Sequence, residues 1–151
     1  MSHASTRLFS AIALFGLALG GIASAQIIYP APKAPDPNER AASLVRQDQS
    51  DCQNGNVNDS NPSLVGGAVW VVRGSDGTTK VRVGLSAKPS TTYHFFLKCV
   101  RILGDIQTDD EGSAVAEFSF STNEAGTTFA FDMYPEGAPP GNKYQSMSVK
   151  Y

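Results

Sequence analysis

The sequence is poor in the side chains that most often carry chemistry. Its 151 residues include 2 His, 2 Cys, 1 Trp and 3 Met. That scarcity excludes most zinc sites, iron–sulfur clusters and disulfide-dense miniature scaffolds. Neither sign of charge dominates. Lys and Arg number 12 against 14 Asp and Glu, a formal net charge of −2, and no basic run marks a nucleic-acid surface. There is no G-x-S-x-G, no C-x-x-C and no internal repeat at a fixed period. What remains is a chain that is 41% hydrophobic and 9% aromatic. That suffices for one globular domain and is too short for two comfortable ones.

The N-terminus carries Arg7, then an apolar run from Leu8 to Ile22, then the small residues Ala23-Ser24-Ala25. This is the order of a secretory signal peptide, with residues 1–25 removed and Gln26 as the new N-terminus. The run reaches only about 15 residues and is interrupted by Gly16, Gly20 and Gly21, short of the roughly 20 that a spanning helix needs. No cysteine follows the cleavage site, so no lipoprotein anchor is indicated. The form suits a bacterial export route, and no later segment has the length and apolarity to cross a membrane as a helix. The mature chain is therefore expected to be secreted or periplasmic, and not an integral membrane protein. Cys52 and Cys99 are the only cysteines, so a compartment that permits disulfides offers them a single intramolecular pairing.

Residues 26–63 read as a leader. Pro30, Pro32, Pro35 and Pro37 disfavour helix and sheet alike. Asp36-Pro37-Asn38-Glu39 then supplies helix-start signals, and a short helix through about Gln47 fits them. Ser50 to Ser63 has loop composition.

From Leu64 the pattern changes to period two. Gly67–Arg73 is a short, strongly apolar run, and runs at Thr79–Ser86, Thr91–Arg101, Ser113–Thr122, Thr127–Tyr134 and Lys143–Tyr151 follow the period of two between turn signals. A seventh strand could come from Leu103 to Thr108 or from the region of Cys52. One buried face per sheet requires a second layer, so residues 64–151 are expected to form a single antiparallel β-sandwich of six to seven strands. An outer-membrane barrel fails on count, because eight strands of about 10 residues barely fit after Leu64, and these strands lack a lipid-facing belt.

Pro89-Ser90-Thr91-Thr92-Tyr93 resembles the loop and strand start of fibronectin type III and related immunoglobulin-like modules. Thr108-Asp109-Asp110-Glu111-Gly112 resembles a turn common in exported β-sandwich modules. The resemblance covers these short stretches. It implies an immunoglobulin-like sandwich in which Tyr93 fills one end of the core and its hydroxyl returns to the preceding loop. It does not carry over an adhesion function.

Few residues stand out as sites. Asp105, Asp109, Asp110 and Glu111 crowd four acids into seven positions, an oxygen density that could take calcium, although a solvated turn is the plainer reading and the EF-hand spacing is absent. His94 would be the one histidine of a mature chain, so an exported hydrolase would have to use it, and a surface strand position is the simpler reading. Phe96, Tyr134 and Tyr144 are candidate surface aromatics for a sugar or a protein partner, whereas Trp70 fits the core. No cofactor is implied. The reading that follows is an exported, non-catalytic binding module whose partner is a protein or glycan. The alternative is an assembly subunit of a pilus-like or surface structure.

Overall fold

The computed structural model describes residues 36–138 and 143–151. The signal-peptide segment 1–25, residues 26–35 of the leader and residues 139–142 lie outside the described residues. Within them the chain is all-β. The strands are β1 (Glu39–Val45), β2 (Val65–Arg73), β3 (Thr78–Ser86), β4 (Thr92–Leu97), β5 (Arg101–Gln107) and β6 (Ser113–Ser121), followed by β7 (Thr128–Phe129), β8 (Phe131–Tyr134), β9 (Tyr144–Ser146) and β10 (Val149–Lys150). Two 3-10 turns, Pro62–Leu64 and Thr122–Glu124, complete the described elements.

The expected short helix after Asp36 is a strand instead. Ala42 and Leu44 are buried on either side of the half-buried Ser43, which is a strand pattern once a sheet is present. β1 pairs with β2 from Glu39↔Val72 onward and with β9 at Leu44↔Ser146. The capping signals serve a turn: the Asn38 N–H donates to Asp36 Oδ1 at 2.8 Å, and the Glu39 N–H to the Asp36 carbonyl at 2.7 Å. The sheet domain thus begins before Leu64, inside the segment read as leader.

Eight strands form one antiparallel sheet in the order β5-β4-β8-β9-β1-β2-β3-β6, and β7 with β10 makes a two-stranded ribbon. The count exceeds the six or seven expected, and the main strands share one sheet rather than dividing into two. Two causes are visible. β1 adds a strand from the leader, and the run Thr127–Tyr134 splits at Ala130, with Phe129 opposite Val149 in the ribbon and Phe131 opposite Leu97 in the sheet. Eight strands fit because β1 precedes Leu64 and because β8 and β9 are only 4 and 3 residues long, well short of the about 10 residues of a membrane-spanning strand.

The sheet curls towards a barrel, bringing its edge strands β5 and β6 alongside each other. No backbone ladder joins these edges. Side chains span the seam. The Phe118 ring lies over Gly104, where an added β-carbon would sit 2.6 Å from it, and Arg101 pairs with Glu124. The interior is apolar: Leu44, Val69, Val83, Phe95, Phe131 and Met133 are fully buried. Phe95 stacks on Phe118 and on Phe131, with ring centroids 5.2 Å apart in each case. Such pairs add about 0.5–1.5 kcal/mol each beyond the area they bury.

Trp70 does not enter this core. Val69 and Val71 do, so alternation along β2 turns Trp70 outward, where it lies over Gly84 and stacks with the Arg82 guanidinium 4.2 Å from its ring. Tyr93 is buried at one end of the core, and its hydroxyl accepts the Lys88 N–H at 3.2 Å.

Candidate functional site

The outer face of β5, β4 and β8 brings together four of the residues singled out above, His94, Phe96, Asp105 and Tyr134. Alternation along β4 buries Tyr93, Phe95 and Leu97 and turns His94 and Phe96 outward. Antiparallel register sets Asp105 and Tyr134 beside His94, and Ile102 and Asp132 beside Phe96. A β-bulge between Phe95 and Phe96 shifts the β5 register and places Ile102, 46% exposed, next to Phe96. The Phe96 and Tyr134 rings stack at 5.0 Å and 12°, both half-buried. The result is a small apolar patch outside a sheet whose inner face is already filled.

Ionisable groups rim this patch. His94 Nδ1 lies 2.7 Å from Asp105 Oδ1, and its Nε2 lies 3.9 Å from Glu136 Oε2. With the proton on Nδ1, His94 donates to Asp105 and leaves Nε2 facing Glu136 and solvent. The Lys143 ammonium sits 5.4 Å from the Tyr134 ring and pairs with Asp48 at 3.2 Å. His94 therefore has an orienting acid, as a catalytic base would. Its partners among the described residues are carboxylates, and no Ser or Thr hydroxyl is bonded to it.

The remaining candidates divide. Tyr144 is not part of the patch. It is half-buried against the core, edge-on to Tyr93 at 6.2 Å. Asp105 is drawn to His94 and away from the other acids. Asp109, Asp110 and Glu111 do cluster, with ligand atoms within 4.8 Å of one another, all exposed. Asp109 is occupied in the turn itself, accepting from the N–H groups of Glu111 and Ser113 at 3.1 and 2.7 Å. A hydrogen bond to Asp110 holds the Glu111 carboxyl above its ordinary range. Cys52 and Cys99 form a disulfide.

Below the patch, next to the disulfide, lies a buried polar network that the sequence did not announce. The segment around 49–54 crosses the outer side of β8 and β9. Asn54, Lys98, Asp132 and Gln145 are at most 9% exposed. Lys98 Nζ donates to the Gln49 carbonyl at 2.6 Å and to Asn54 Oδ1 at 2.5 Å, and lies 3.6 Å from Asp132 Oδ2. Asn54 Nδ2 donates to the Ser146 carbonyl at 2.9 Å and reaches the Phe131 carbonyl and Asp132 Oδ1 at 3.4 Å. Gln145 accepts from the Gln49 N–H at 2.6 Å and donates to the Gln49 carbonyl at 2.9 Å. Burial pushes the Asp132 carboxyl up, and Lys98, Asn54 and Gln145 pull it partly back.

The chain matches no known family model and no curated protein sequence. Among the described residues no helix is long and apolar enough to cross a membrane.

Proposed function

We propose that the protein is an exported, non-catalytic binding module that meets a protein or glycan partner through Ile102, Phe96 and Tyr134. The observation that carries this reading is the Phe96–Tyr134 stack on the outer face, flanked by exposed Ile102 and by ionisable groups of both signs. A half-exposed aromatic pair with a polar rim is the usual make-up of a contact surface. The Trp70 ring is the poorer platform, because Arg82 already covers it. Export to a secreted or periplasmic compartment rests on the N-terminal segment and is in keeping with the Cys52–Cys99 disulfide. Kinship with immunoglobulin-like modules rests on the corner at Tyr93, where the hydroxyl meets the Lys88 N–H. The strand order is a separate matter and lends it no support.

The test is a crosslinking pull-down of the tagged chain from its native envelope or secreted fraction, run beside a Phe96→Ser/Tyr134→Ser variant. The wild type is expected to recover a discrete complex. The variant is expected to lose at least about tenfold in recovery, the consequence of roughly 1.4 kcal/mol of lost contact, at unchanged fold by circular dichroism. Recovery indifferent to the substitutions removes the patch from consideration. A ladder of self-multiples would replace the binding module by an assembly subunit.

A further inference from the structure

We propose that Lys98 and Asn54 join in an intramolecular amide cross-link, formed by the chain itself with Asp132 as proton carrier. Three observations bring the reacting groups together. The Lys98 Nζ touches the side-chain carbonyl oxygen of Asn54 at 2.5 Å, so it lies beside the carbon it would attack. Asp132 contacts both ends of the exchange, with Oδ2 3.6 Å from Lys98 Nζ and Oδ1 3.4 Å from Asn54 Nδ2, the nitrogen that would leave. All three residues are at most 9% exposed, and Asn54 is 1% exposed. The orientation of the Asn54 amide is set by its surroundings. Its nitrogen faces the carbonyls of Ser146 and Phe131, and its oxygen faces a cation.

The chemistry balances without an oxidant or a second reagent. Burial disfavours an ammonium and a carboxylate together, and moving one proton from Lys98 Nζ to Asp132 removes both charges. The neutral amine adds to Asn54 Cγ through its lone pair. Asp132 returns a proton to Nδ2 and receives one from Nζ, the Cγ–Nδ2 bond breaks, and ammonia departs. The product is a secondary amide between Cγ and Nζ, with Asp132 left protonated. The raised affinity of Asp132 for a proton suits that role. Positioning supplies the rest, since the groups are held in contact by the fold, and water, the competing nucleophile, is kept out. The link would tie the 49–54 segment to the end of β4 beside the disulfide, and reductants would leave it intact.

Peptide mass spectrometry of the reduced full chain decides the matter. A processed N-terminal glutamine also loses ammonia, so the readout is the linked peptide and not the intact mass. After trypsin, the wild type is expected to give residues 47–73 joined to 83–101, lighter by one ammonia, with no cleavage after Lys98. Lys98→Arg, Asn54→Ala and Asp132→Asn are each expected to give residues 47–73 unlinked, with cleavage after position 98. Wild-type peptides found separate, with Asn54 intact or deamidated, overturn the proposal even if every variant misfolds. A link formed equally in Asp132→Asn overturns the role of the carboxyl.

Discussion

Asp132 shows how burial rewrites the behaviour of a single residue. It stands on β8 in register with Phe96 and Gln145, but the 49–54 segment covers it, so it is 7% exposed while Phe96 is half open. Desolvation raises its carboxyl, and Lys98 offsets that in part. A carboxyl that binds its proton more tightly when folded contributes stability at low pH and loses it as pH rises through the raised value. Asp132→Asn cannot ionise and escapes that loss. The difference in Tm between the variant and the wild type is therefore expected to move in favour of the variant as pH rises from below the usual carboxylate range towards neutrality. Calorimetry at a series of pH values checks this, and a difference that stays flat would mean that Asp132 pays no desolvation cost. Nothing in the local sequence Phe131-Asp132-Met133 announces the effect, because what buries Asp132 comes from a segment about eighty positions earlier. Trp70 is a second case. Val69, Trp70 and Val71 are all apolar, so only the strand's burial shows that the two valines face inward, and the general preference of Trp for interiors pointed the other way.

Elements were legible where period two was unbroken and illegible where pairing partners decided. β3 and β6 follow from alternating Val, Leu and Phe, and β2 from a short apolar run. β1 did not, because its capping residues are also turn residues, and only the open edges of β2 and β9 make the extended form favourable. Phe96 and Tyr134 could be named as surface candidates, but their contact depends on the β4–β8 register, and Ile102 joins them only through the bulge. The turn between β5 and β6 was the best-read connection. Gly112, the glycine that closes the Thr108–Gly112 stretch, has φ +87°, and a β-carbon there would lie 2.2 Å from the Ala87 carbonyl oxygen. Gly112→Ala is accordingly expected to destabilise the fold by about 1–3 kcal/mol in urea denaturation. Gly126→Ala, where an added β-carbon meets nothing within 4 Å, is the control and is expected to change stability by no more than about 1 kcal/mol. Equal losses at both positions would refute the steric reading of the turn.

At the scale of the whole molecule, the Cys52–Cys99 bridge closes a loop with a sequence separation of 47 and fastens the segment around 49–54 to the chain just after β4. Both cysteines are exposed, so replacing them with serine opens no cavity, and the change reports loop closure. For a loop of this length the entropic cost of losing the bridge is about 4 kcal/mol. That figure assumes that nothing else closes the same loop. An amide between Asn54 and Lys98 would close nearly the same one, since its ends lie two residues inside Cys52 and one before Cys99. The two links are then redundant, and their effects cannot add. Cys52→Ser/Cys99→Ser is expected to cost well under half of that value in the wild-type background and close to all of it in the Lys98→Arg background, both read from urea midpoints. Equal costs in the two backgrounds would show that the disulfide alone closes the loop. The buried network of Lys98, Asn54 and Asp132 would then act through hydrogen bonds and charge alone.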